Sequence, residues 1–317
     1  MINLLTIGGV LIQMFTFITA LVPIMILIIL GFILRRSKFL PEGSWQGIEK
    51  LTYFILFPSL LIRTLGSQTL AGAPWPSMLI IIIITILTSA ILLIVFRKLL
   101  SKNNATFTSI FQGGVRFNTY ICFAVAQILY GAEGLAMASV AAGFMIVLIN
   151  VCCISVFVIW GKTSFQGVLP FFKEILGNPL IIACAVGWVL SLSGIGIPFI
   201  VTDILEIVGR AALPLGLLAV GAALKLKAIK GHFSSITFSS IVQFGLKPLI
   251  TAGLVSFTGL TGAAAAVLII AFMTPTAPSG YILARQLGGD TEAMASIITV
   301  QTLLAFVMMP FLGMFLL

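Results

Sequence analysis

The sequence predicts an all-α integral membrane protein in which ten transmembrane helices form a five-plus-five inverted repeat. Three observations lead there. Of the 317 residues, 60% are hydrophobic and 8% charged, and the mean hydropathy is +1.24. A soluble domain carries roughly 25% charged residues, so this chain has too little polar surface to cover a globule in water. Apolar runs of bilayer length recur along it. At about 20 residues per crossing, ten would use about 200 residues, which leaves short connections and no room for a water-soluble catalytic domain. The chain also repeats itself. YGAEGLAMASV at 130–140 matches LGGDTEAMASI at 287–297, an offset of 157. Pro23, Gly31 and Leu34 match Pro179, Gly187 and Leu190, and Pro58 matches Pro214, at an offset of 156.

The spans follow in order. The first, 11–34, has no Lys or Arg before it, which argues against a cleavable signal peptide, and it ends on Arg35, Arg36 and Lys38. The second, 45–65, carries Arg63 near its outer end, where the side chain snorkels to the interface. The third, 76–97, is closed by Arg97, Lys98 and Lys102; the fourth, 107–130, is polar in its middle. The fifth, 134–160, holds Asn150 and is followed by Lys162 and Lys173, with the sixth at 171–193. In the seventh, 199–224, Glu206 and Arg210 stand four apart and neutralise each other, and Lys225, Lys227 and Lys230 follow. The eighth, 233–258, sets Lys247 beside Pro248; the ninth, 263–287, contains TPTAPSG and ends near Arg285; the tenth, 291–316, holds Gln301.

The connections near 66–75, 131–133, 194–198 and 259–262 contain no Lys or Arg. The positive-inside rule therefore makes the odd-numbered connections cytoplasmic and puts both termini outside. Five is odd, so the second repeat, 162–317, enters the membrane inverted relative to the first, 1–161. Inverted repeats of this kind build secondary transporters, with the substrate near the midplane between them.

The formal net charge of +9 is scattered in ones, twos and threes, with no basic stripe, so nucleic acid is not an expected partner. Cys122, Cys152, Cys153 and Cys184 lie within apolar segments and form no metal-type cluster with His232, the only histidine. They read as small packing residues, and neither metal nor cofactor is expected.

The chemistry points to two broken spans. Pro275 and Pro278 interrupt the ninth at mid-depth, and a break inside hydrocarbon is tolerated only where the freed backbone faces protein or a water-filled cavity. The partner stretch in the fourth span runs Gly113-Gly114-Val115-Arg116-Phe117-Asn118-Thr119-Tyr120, with Asn118 and Thr119 suited to cap a second half-helix. Two half-helix N-termini meeting there would favour an anion, lined by Asn118, Thr119, Thr276, Ser279 and the backbone of Gly280. Arg116, expensive at this depth, either contacts the substrate or ties down carbonyls exposed at the break. Lys247 either replaces a coupling ion or acts as a tether. Asn150 and Gln301 either serve coupling or bond neighbouring helices. No carboxylate stands at mid-depth outside the Glu206 region, so no acidic proton relay or sodium site is expected.

RFNTYICFAVAQILYG at 116–131, NPLIIACAVGWVL at 178–190, RAALPLGLLAVGAAL at 210–224 and TPTAPSGYILARQLGGD at 274–290 resemble the auxin efflux carrier family, whose bacterial members include malonate and other organic-acid permeases. The resemblance covers essentially the whole chain. It implies a bile-acid symporter-like fold with crossing fourth and ninth helices. It also implies a scaffold of helices 1, 2, 6 and 7, often dimeric, and a transport domain of helices 3–5 and 8–10. By resemblance Asn118 contacts the substrate carboxylate. Ala124 stands where many relatives have proline, and the long cytoplasmic loop of plant members is missing.

The expectation is therefore a carrier, not an enzyme, in a bacterial plasma membrane. It would move mono- or dicarboxylates by alternating access, in the efflux direction that an inside-negative potential drives by about 2.3 kcal/mol per charge per 100 mV. A sodium-coupled bile-acid-type symporter is the alternative. An intramembrane hydrolase is a remote one, suggested by Ala277-Pro278-Ser279-Gly280 but lacking a base within reach of the serine.

Overall fold

The computed structural model describes residues 4–67, 74–161, 177–229 and 231–317. Lys162, Lys173, Lys230 and the first six residues of the expected sixth span lie outside the described residues. About 85% of the described residues are helical, and they include no strand. The helices are α1 (Leu4–Arg36), α2 (Glu42–Leu51), α3 (Phe57–Gly66), α4 (Trp75–Val95), α5 (Arg97–Leu100), α6 (Asn104–Val115) and α7 (Thr119–Trp160). They continue as α8 (Pro179–Leu192), α9 (Phe199–Arg210), α10 (Ala212–Ala222), α11 (Phe233–Ile241), α12 (Lys247–Thr258), α13 (Gly262–Met273), α14 (Ser279–Gln286) and α15 (Thr291–Leu316).

Six stretches among the described residues are long and apolar enough to cross a bilayer, which makes the chain an integral membrane protein. Phe199, Phe233 and Phe257 are at least 80% exposed, while Gln112, Asn118, Gln243, Lys247 and Gln301 are fully buried. In water that inversion would be costly on both counts; in lipid it satisfies both.

Prolines shape the spans in two ways. Proline clashes with the carbonyl four residues earlier and lacks a donor. Before Pro58 and before Pro248 the helix widens into a π turn, Thr52–Leu56 and Val242–Leu246, which takes up that clash without breaking the helix. At 116–118 and 274–278 the helices stop outright. Gly131 makes a third discontinuity. Its φ of +60° and ψ of −143° kink α7 between the expected fourth and fifth spans. A straight helix of 42 residues would be about 63 Å long, roughly twice the hydrocarbon thickness.

α1 packs along α10 and α15, while α3 packs along α8 and α9. α6 packs with α7, α11 and α15, and α13 with α7 and α12.

Candidate functional site

α6 ends at Val115, because Arg116 (ψ 161°) and Asn118 are extended, and α7 restarts at Thr119 with Asn118 as its cap. Asn118 Oδ1 accepts the Ile121 N–H at 3.2 Å. On the other strand of the crossing, α13 ends at Met273, Thr274 is extended, and α14 restarts at Ser279 after Pro278.

Each break leaves backbone groups without helical partners, and in a buried site every one left unmet costs about 1–3 kcal/mol. The two breaks satisfy each other. Asn118 N–H donates to Thr274 Oγ1 at 3.2 Å, and Thr276 Oγ1 donates to the Gln112 carbonyl at 3.3 Å. Gln112 Nε2 donates to the Gly280 carbonyl at 3.3 Å. Gln301 spans both: its Oε1 accepts Thr276 N–H at 3.0 Å and its Nε2 donates to the Gly113 carbonyl at 3.0 Å. Gln243 Nε2 donates to the Thr274 carbonyl. Lys247 Nζ donates to the carbonyls of Val115 and Arg116 at 3.3 and 3.1 Å, and to Gln243 Oε1 at 2.7 Å. Replacing Gln301 by Leu strands a donor at one break and an acceptor at the other. It is expected to destabilise the protein by about 2–4 kcal/mol; a detergent melting curve that does not move would show that Gln301 does not hold the breaks together.

The two deep cations have separate tasks. At the fourth-span break Lys247 donates to the carbonyls of Val115 and Arg116, while those of Gln112 and Gly113 accept from Thr276 and Gln301. Arg116 Nε donates to Gln112 Oε1 at 2.8 Å and its Nη2 to Asn150 Oδ1 at 3.1 Å. Two neutral acceptors thus fix the guanidinium plane. It is 8% exposed and, among the described residues, no carboxylate pairs with it.

Arg116 stands on the wall of a cavity of about 700 Å³. Thr119, Asn150, Pro278 and Ser279 also line it, whereas Asn118, Thr276 and Gly280 lie behind the wall. The amide nitrogen of Asn118 is buried with no hydrogen-bond partner. The cavity is enclosed by α2, the start of α8 and the end of α10 on one side, and by α7, α14 and α15 on the other. Among the described residues, five cations, Arg35, Lys50, Arg116, Lys225 and Arg285, line it against two carboxylates, Glu42 and Glu49. Both carboxylates come from α2, at the start of the expected second span and not from its middle. Arg35 donates to Glu42 and holds its carboxyl below the usual range. Lys225 Nζ sits 4.1 Å from the Tyr281 ring centroid.

Remote groups behave otherwise. Glu206 pairs with Arg210, as the spacing predicts, and also with Arg63 at 3.3 Å. His232 pairs with Glu292 at 3.9 Å, so the only histidine faces a carboxylate and not Ser279. Cys122, Cys153 and Cys184 are buried, and all four cysteines are free.

Sequence reasoning overlooked Gln112 and Gln243, yet a signal was present. Each stands four residues before a deep cation, Arg116 and Lys247, and so on the same helical face where the helix is continuous.

Comparison with known proteins adds two findings. A family described as membrane transport protein matches residues 168–313. An uncharacterized transporter from Methanothermobacter thermautotrophicus is 21% identical over 290 residues, covering 90% of this chain and 94% of the relative.

Proposed function

We propose that this chain is a membrane transporter of the auxin efflux carrier family and carries small organic anions, mono- or dicarboxylates, by alternating access; a membrane transport family match and a transporter relative support the first part. One observation carries the reading: the Arg116 guanidinium is held rigidly on the cavity wall with no carboxylate partner among the described residues. A buried cation of this kind is stable only if something compensates it, and an organic anion supplies the missing charge. The planar fork of arginine suits a carboxylate. The cationic surplus in the cavity favours entry of anions over neutral solutes.

The ten-span, five-plus-five arrangement is part of the proposal. It is supported by repeat-related contacts: Gly31 of α1 lies against Leu218 of α10, and its counterpart Gly187 of α8 lies against Leu61 of α3, 157 positions before Leu218. In this reading α1–α3 and α8–α10 form the scaffold, and the remaining helices form the transport domain. Arg35, Lys225 and Arg285 line the cavity from segments that the positive-inside reading assigns to the cytoplasmic side, which supports an inward-facing conformation, with both termini outside in that same reading. The exposed apolar residues Phe199, Ile200, Ile204 and Ile207 of α9 suit lipid or a homodimer contact through the scaffold. The membrane is a bacterial plasma membrane, and the potential drives the anion outward.

Flux of a carboxylate panel in proteoliposomes tests the reading, with Asn118 as the discriminating position. Asn118→Asp keeps an N-cap but replaces a buried, unpartnered amide donor behind the cavity wall by a negative charge, which would repel an anion held at Arg116. It is expected to retain most of the stability and lose at least about tenfold in flux, the equivalent of one charge-assisted hydrogen bond. Flux at the wild-type level with normal expression would remove Asn118 from the mechanism.

A further inference from the structure

Lys247 is fully buried at the start of α12, and what surrounds its ammonium is unusual for a lysine. Its three acceptors are the carbonyls of Val115 and Arg116 and the side-chain oxygen of Gln243, at 3.3, 3.1 and 2.7 Å. All three are neutral. Among the described residues no carboxylate pairs with it. The Phe272 ring centroid lies 5.7 Å from Nζ on a further side. A protonated lysine has three donors and no acceptor, so three oxygens match the charged form. A neutral amine would turn its lone pair toward an oxygen. Gln243 cannot be read the other way round, since its Nε2 is committed to the Thr274 carbonyl.

Uncharged oxygens gathered from backbone and amide are the ligand set with which proteins replace the hydration shell of a monovalent metal ion. Their position matters as well. Two come from the end of α6, at the first break, and the third is joined through Gln243 to the second break.

We infer that Lys247 fills a monovalent-cation site at the crossing of the two broken helices, so that the protein carries its own cation and needs no sodium to assemble the anion site. The charge is tethered to α12, and it moves with the break or not at all. Sodium thus has neither a vacant site here nor a structural task.

The flux part of this inference rests on the carrier reading; the melting part uses no organic anion and stands or falls alone. Wild type and Lys247→Ala are melted in detergent in sodium, potassium, ammonium and choline chloride at equal ionic strength. Wild type should melt at one temperature in all four salts. Lys247→Ala should melt roughly 5 °C lower in choline and recover at least half of that loss in potassium or ammonium, which fit the vacated oxygens where choline does not. Equal melting of Lys247→Ala in all four salts would overturn the inference, and so would selective stabilisation of wild type by sodium. If the alanine variant does not accumulate, wild type decides alone, by its melting and by its flux with sodium replaced by choline. Unchanged flux supports the inference, and loss of flux refutes it.

Discussion

Arg116→Gln should reduce organic-anion flux by about 100-fold while the protein still folds. The size follows from what the guanidinium faces. Truncating one partner of a buried, hydrogen-bonded charge pair costs about 2–5 kcal/mol, and every 1.4 kcal/mol is tenfold. Glutamine retains a donor for the Gln112 or Asn150 oxygen that Arg116 now occupies, so the loss is chiefly of charge and not of scaffolding. Arg116→Lys makes the sharper comparison. Lysine restores the charge as a point, without the fork that binds Gln112 and Asn150 and still presents N–H groups to the cavity. Its flux should fall between the other two, with the deficit mainly in KM. Concentration-dependent flux in proteoliposomes reads both quantities. Equal KM and Vmax in all three proteins would mean that the cavity wall near Arg116 does not hold the anion.

The same residue shows how far the sequence could be read. That Arg116 and Lys247 are deep, and that TPTAPSG must break its helix, follows from hydropathy and proline chemistry. Which cation does what does not follow, because it depends on where α11 and α12 cross the end of α6. That crossing brings Lys247 from 131 positions away to the Arg116 carbonyl and leaves the guanidinium free for the cavity. Hydropathy likewise located the second span but not its π turn. Gln301 was readable as a deep polar residue with two open roles. Its role as a bridge between the breaks required the second break to be placed beside the first, a long-range fact that no local pattern contains.

Gly221→Ala is expected to have the largest effect on stability of any glycine-to-alanine change among the described residues. A Cβ there would lie 1.8 Å from the carbonyl oxygen of Ile28, and one at Gly31 would lie 2.0 Å from that of Leu218. These are backbone atoms, so no rotamer change relieves the clash; α1 and α10 must separate along the whole contact. In lipid the hydrophobic effect does not hold such helices together, and close packing of small residues does. Over-packing of a tight core costs about 1–3 kcal/mol and occasionally more, and this contact belongs at the upper end, a fall in melting temperature of about 10 °C or failure to accumulate. Gly253 supplies the control. It is exposed within α12 with nothing within 4 Å of an added Cβ, so Gly253→Ala should leave melting unchanged or raise it slightly through helix propensity. The double variant Gly31→Ala with Gly221→Ala should cost much less than the two single losses together, because one separation accommodates both methyls. Fully additive losses would mean that the two glycines serve different contacts.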